Sequence, residues 1–197
     1  MGRRLLPVGA TSDTDGDRPR LRRLPTADLT PREVTAIREL LADAFGSGEE
    51  AFTDADWDHA IGGLHFVLDL DGEIIAHASV VEREIHIDGH PLRTGYVEAV
   101  AAAPGRQGAD FGSQVMADVT AYIRKGFDLG ALGTGRQGFY ERLGWLTWAG
   151  PSFVRTVEGE RRTPDEDGYI MVLSTPTSPP LETTSRISCD WRPADVW

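Results

Sequence analysis

From Gly95 to Tyr140 the chain changes its periodicity, and that change limits the folds open to it. Upstream, alternating apolar runs are joined by Asp71-Gly72 and Asp88-Gly89, dipeptides favoured in tight hairpin turns. LHFVLDL and EIIAHASVV flank the first of these; EREIHI and the strand through Val97 flank the second. From Gly95 the order becomes a strand (GYVEAVAAAP), a glycine-rich turn (GRQGADFGS), a helix (QVMADVTAYIRKG), an apolar strand (FDLGALG) and a short helix carrying Tyr140 (RQGFYERLGW). Hairpins that give way to alternating strands and helices predict an α+β fold, a mixed and mostly antiparallel sheet flanked by helices.

The rest of the chain agrees with that plan. Residues 1–19 are polar and aperiodic and read as a disordered leader, leaving 20–197 as one domain. Arg20 to Leu24 suits an edge strand. Thr30 offers an N-cap, with Pro31 at the first helical position and Glu33 closing a capping box. Val34, Ile37, Leu41, Ala44 and Phe45 then share one helical face. Thr53 caps a second, short helix containing Asp56 and Trp57. An acidic loop spans Thr163 to Asp167, YIMVLST reads as a late strand, and the last segment is CDWRPADVW. Trp57, Trp145, Trp148 and Trp191 are read as core residues or sugar platforms.

Charge narrows the partners. The chain carries a net −11; residues 1–25 hold six Arg and three Asp, so the remainder carries −14. Such a body repels nucleic acid and anionic membranes and attracts cations. No apolar run is long enough to span a membrane, and the N-terminal apolar stretch is too short for a signal peptide. Cys189 is the single cysteine, so no internal disulfide can form, and a cytoplasmic location is expected. The five histidines lack metal-ligand spacing, and no metal is assigned.

Three features carry chemistry, each with an ordinary alternative. Glu98 interrupts an apolar strand: it is either a buried carboxylate with a raised pKa, suited to general-base work, or a side chain on the solvated face. Gly105, Gly108 and Gly112 precede a helix, making either a plain loop or a pyrophosphate cradle at the helix N-terminus. Tyr140 is either a proton donor or a core phenol.

Together these segments resemble the GCN5-related N-acetyltransferase (GNAT) superfamily. Its cofactor motif matches Gln107-Gly108-Ala109-Asp110-Phe111-Gly112, with Asp110 standing where the motif has its first Gly. ADWDHAIGG, EIIAHASVV, RTGYVEAVA, LGALG, RLGWLTWAGP, RTPDEDG and CDWRPADVW resemble, in order, segments of the aminoglycoside 2'-N-acetyltransferases of actinobacteria, covering roughly Leu21 to Trp197.

That resemblance implies a homodimeric enzyme moving acetyl from acetyl-CoA to the 2'-amine of a cationic aminoglycoside by direct attack in a ternary complex. It makes Glu98 the base and Tyr140 the acid. The backbone of Val100, Ala101 and Ala102 and the turn Gln107, Gly108, Ala109, Asp110, Phe111, Gly112 and Ser113 would hold acetyl-CoA. Asp56, Glu98, Gly133, Glu166, Asp195 and the carboxylate of Trp197 would line the drug site. Asp56 also reads as a first-turn acid favoured by its helix dipole. Glu166 and Gly133 stand where that family tends to have Asp and Ser, and either Glu49 or Glu50 supplies a further acidic contact. Chain ends usually fray and tolerate change, but with Asp195 and Trp197 in the drug site, trimming Val196 and Trp197 is expected to weaken drug binding and turnover while the melting temperature and acetyl-CoA affinity are largely kept. The same fold would serve an enzyme acting on a polyamine or another small amine, or a non-catalytic acyl-CoA-binding module.

Overall fold

The computed structural model describes residues 18–48, 51–103 and 110–197. Most of the expected leader, Glu49, Glu50, and Gln107, Gly108 and Ala109 of the expected cofactor turn lie outside the described residues.

Ten strands form one sheet: β1 (Arg20–Pro25), β2 (Leu64–Leu70), β3 (Glu73–Ile87), β4 (His90–Ala102), β5 (Leu129–Gly133), β6 (Leu146–Thr147), β7 (Ser152–Thr156), β8 (Gly159–Arg162), β9 (Ile170–Ser174) and β10 (Ile187–Asp190). The order is β6-β9-β5-β4-β3-β10-β7-β8, with the β1–β2 pair joined to β3. Only β4–β5 and β10–β7 run parallel. EIIAHASVV and EREIHI are one 15-residue strand, because no turn residue separates Val81 from Glu82. Its first half pairs β2 and its last two residues pair β10, so β3 is the spine of the sheet.

Both hairpins form where expected. Asp71 and Gly72 take φ 54° and 80°, and Asp88 and Gly89 take 49° and 82°. These left-handed pairs match the twist of the strands they join.

Helices α1 (Pro31–Phe45) and α2 (Asp54–Ala60) cover one face, and α3 (Phe111–Gly126) covers the other; α4 (Gln137–Glu141) follows β5. Ile37 and Leu41 of α1 and Trp57 of α2 pack on Val67 and Ala101. Val115, Met116, Val119 and Ile123, spaced along one side of α3, pack on Phe66, Val80 and Val97. Phe45 does not join its expected face: at the last helical residue it is 45% exposed, and Leu40 is buried instead. Trp145 and Trp148 are core residues, whereas Trp191 is 55% exposed.

A third cluster locks the C-terminal segment down. Trp197 is 4% exposed among Tyr96, Trp148, Val154 and Ile187. Its indole Nε1 donates to Thr163 Oγ1 at 3.1 Å. The Val196 carbonyl accepts from Arg83 Nη2 at 2.9 Å and from Cys189 Sγ at 3.2 Å. Cys189 is fully buried, and burial pushes its thiol up to about 11. This packing opposes the expectation that trimming the segment would spare the melting temperature.

Both capping boxes are present. Glu33 Oε2 accepts from Thr30 N at 2.9 Å and Thr30 Oγ1 at 2.7 Å, while Arg22 bridges Glu33 (2.7 Å) and Asp69 (2.8 Å). The Thr30 backbone N–H first, then Arg22, hold the Glu33 carboxyl down at about 2. A depressed carboxyl stabilises the fold above its unfolded pKa, and that contribution disappears as pH falls through the folded pKa. Glu33→Ala should therefore cost about 1–2 kcal/mol at neutral pH. Urea titrations should show the gap to the parent chain closing between about pH 4.5 and pH 2.

Candidate active site

The site begins where β4 leaves regular pairing. Ser79 opposes Glu98 and His77 opposes Ala101, so Ala78 faces two residues, Ala99 and Val100. This is a β-bulge, with Ala99 at φ 53°. On its other side β4 pairs with β5 only through Thr94, Gly95 and Tyr96. Beyond Tyr96 the ladder stops, although β5 continues to Gly133 against β9. Among the described residues the edge of β4 from Val97 to Ala102 therefore has no strand partner on this side and can pair with an extended ligand. Val100 and Ala102 lie on it as expected; the Ala101 side chain is 6% exposed in the core under α1 and α2.

Glu98 follows the buried reading. Its side chain is 16% exposed, and Oε1 accepts from Arg192 Nη1 at 2.5 Å. Burial pushes its carboxyl up, against the opposing pull of the Arg192 and Arg83 guanidiniums. Arg192 was not foreseen; only its position in the terminal segment beside Asp195 hinted at it. Its Nε donates to Asp195 O at 2.7 Å and its Nη2 to Trp197 O at 3.1 Å, tying Glu98 to that segment.

Four expected acceptor-site residues converge there. Asp195 Oδ1 accepts from Trp197 N at 3.3 Å. A Cβ placed on Gly133 would lie 3.7 Å from both the Trp197 carbonyl carbon and the Tyr96 hydroxyl. The Glu166 carboxyl is pushed up by burial, then by its like-charged neighbours Asp195 and Asp165. Carboxylates that raise one another in this way favour a cationic guest.

Asp56 is placed differently. Its Oδ2 accepts from Thr53 N and Thr53 Oγ1, both at 2.7 Å, so it closes the cap of α2. Asp58 and His59, one turn on, line a cleft of about 380 Å³ with Val81, Arg83, Asp190 and Arg192. Arg192 borders this cleft and also holds Glu98, so the cleft opens beside the buried carboxylate.

On the opposite face, α3 begins three residues before Gln114, where the expected helical segment starts. Phe111 is already helical and 9% exposed, and Gly112 and Ser113 belong to the first turn. Asp110 is the N-cap residue, at φ 61°, without a side-chain capping bond. Asp is one of the few residues besides Gly that adopt this left-handed conformation readily, which explains how it stands in a glycine position. The first N–H groups of α3 have no partner within the helix. Gly112 lies near Ala102 of β4 and Phe139 of α4.

Tyr140 sits on α4 in the cluster that contains Val97, the residue before Glu98 on β4. Strand alternation therefore puts Tyr140 and Glu98 on opposite faces of β4. It is 7% exposed, and burial pushes its phenol up to about 12, so it holds its proton at neutral pH. Among the described residues no cluster of three or more His, Cys, Asp or Glu could hold a metal ion, and no helix is long and apolar enough to cross a membrane.

Comparison with known proteins points the same way. A family model described as an acetyltransferase (GNAT) domain matches residues 26–147. An aminoglycoside 2'-N-acetyltransferase of Mycolicibacterium fortuitum is 40% identical over 176 residues, covering 87% of this chain and 89% of that one. A GNAT family N-acetyltransferase from Escherichia coli, solved in complex with CoA, aligns with a TM-score of 0.60 at 16% identity, over 87% of this chain and 89% of that one. A GNAT family acetyltransferase from Brucella melitensis, solved with acetyl-CoA, aligns at 0.57 and 19% identity, over 83% and 92%. At those identities the likeness to the solved structures is one of fold.

Proposed function

Because this chain belongs to the GNAT acetyltransferases, we propose that it moves the acetyl group of acetyl-CoA to the 2'-amino group of aminoglycoside antibiotics. The observation that carries the reading is the open edge of β4 beside a largely buried Glu98, tied through Arg192 to the segment that carries Asp195. The M. fortuitum relative supplies the acceptor class. A homodimer working in the cytoplasm belongs to the same reading, supported by the family resemblance and the unpaired Cys189.

The residues present fit acetyl-CoA. The edge N–H and C=O groups from Val97 to Ala102 suit the amides of pantetheine, and the first turn of α3 suits the pyrophosphate. Bound there, acetyl-CoA supplies an activated acetyl thioester. The protein's own groups do the rest. An ammonium has no lone pair, so the drug amine must first lose a proton, and Glu98 takes it. Asp195 and Glu166 hold the remaining ammonium groups and orient the acceptor, making the encounter effectively intramolecular. Tyr140 keeps a proton on its hydroxyl, available to the sulfur that departs.

The test is thiol release from acetyl-CoA with a panel of acceptors. Tobramycin should release one thiol per acetyl group, with NMR of the product placing the acetyl on the 2'-nitrogen. An aminoglycoside with a 2'-hydroxyl should release little or none. Release with spermidine alone would move the assignment to a polyamine, and binding of acetyl-CoA with no thiol release from any acceptor would point to an acyl-CoA-binding module.

A further inference from the structure

Two buried histidines outside the proposed chemistry stand in line with the bulge. His65 on β2 and His77 on β3 are both fully buried, with the His65 ring between Trp57 of α2 and His77. His77 Nδ1 lies 2.8 Å from the carbonyl of Ala99, the left-handed bulge residue. His77 Nε2 lies 3.0 Å from His65 Nδ1, and His65 Nε2 lies 2.8 Å from Thr26 Oγ1. Thr26 Oγ1 in turn accepts from Gly62 N at 2.9 Å.

The proton order follows from chemistry. A carbonyl oxygen only accepts, so His77 Nδ1 carries the proton. A neutral ring then leaves Nε2 as an acceptor, so His65 Nδ1 donates to it, and His65 Nε2 accepts from the Thr26 hydroxyl, whose 2.8 Å contact to the ring is shorter than its 3.3 Å contact to the Gly63 carbonyl. All four ring nitrogens are used and every bond points toward Ala99. Burial pushes His65 down to about 4 and His77 down to about 3, so both rings are uncharged at neutral pH.

We propose that Thr26, His65 and His77 are positioning residues, a one-way hydrogen-bond relay that clamps the Ala99 carbonyl and thereby fixes the bulge between Glu98 and the free edge of β4. A bulge residue sits outside the ladder, and its partly buried carbonyl would otherwise lack its regular partner. Ala99 lacks the freedom of glycine at positive φ, so its conformation needs holding by its surroundings. Ala99 is flanked directly by Glu98 and Val100. A slip of the bulge would therefore rotate the base away from the acceptor and shift the edge that receives the thioester.

This inference rests on the acetyl-transfer reading, and its test separates the two. His77→Leu removes the donor to Ala99, while His77→Asn returns an N–H near the Nδ1 position without restoring the link to His65. His77→Leu should lower kcat at least 20-fold, a loss expected of a small misplacement of reacting groups. His77→Asn should recover most of that kcat, although both variants melt at similarly reduced temperatures. Acetyl-CoA affinity should change less than threefold in both. Loss of kcat in proportion to loss of melting temperature, with no recovery in Asn, would overturn the proposal. Long-range 1H–15N NMR of the unmodified protein should show both rings protonated on Nδ1, and an Nε2-protonated ring at either position would also overturn it. That measurement decides the relay even if no acceptor in the panel is acetylated.

Discussion

Glu98→Gln should lower turnover at neutral pH by about 10²–10⁴-fold, the usual contribution of a positioned general base. The amide keeps the shape of the side chain but cannot take the proton from an ammonium. Arg192 keeps its acceptors at Asp195 O and Trp197 O, so the terminal segment should stay docked. The loss should depend on pH in a particular direction. In the parent chain the base works only when deprotonated, so kcat/KM should fall as pH drops through its burial-raised pKa. The Gln variant should lack that limb and regain activity at high pH, where the drug amine is already neutral. A profile of kcat/KM from about pH 6 to 9.5 checks this. An equal loss at every pH would make Glu98 a binding residue instead.

Removing Val196 and Trp197 should destabilise the fold by about 3–5 kcal/mol, the range for deleting a large buried aromatic. Trp197 fills the space among Tyr96, Trp148 and Ile187, and its loss would leave Thr163 Oγ1 without its indole donor. The Val196 carbonyl is an acceptor for Arg83, whose Nη1 is already buried without a hydrogen-bond partner among the described residues. Arg192 would lose its Trp197 acceptor, so the Glu98 pair should loosen as well. Guanidinium denaturation and thiol release should therefore fall together. Unchanged stability would mean that the segment does not pack in solution as described.

Local grammar made much of this legible from sequence. Asp-Gly dipeptides gave the hairpins, and Thr-x-x-Glu and Thr-x-x-Asp gave the two capped helices, because these signals act over a few residues. The histidine relay was not legible, for a reason of register. A regular hairpin through Asp71-Gly72 would oppose His77 to Phe66 and place His65 on the other face. The ladder instead shifts between Leu68 and Asp69, leaving Ile75 as an extra residue on β3, so His77 opposes Val67 and shares a face with His65. A one-residue slip changes every later side chain's face, and no local signal announced it. Arg192 was hidden because its partner Glu98 is 94 residues away. The early start of α3 was hidden because Asp110-Phe111-Gly112 reads as a loop until φ at Asp110 is known.

Cys189 has a practical consequence. It is the only thiol in the chain, and its sulfur lies under the terminal segment against the Val196 carbonyl. A chromogenic disulfide reagent added to the folded protein should find no reactive sulfur, so colour in a coenzyme assay comes from product alone. The same sulfur becomes a built-in reporter once the segment lifts. Its labelling rate should track undocking of Trp197, and the shortened chain should carry a background of one equivalent that must be subtracted before its turnover is read.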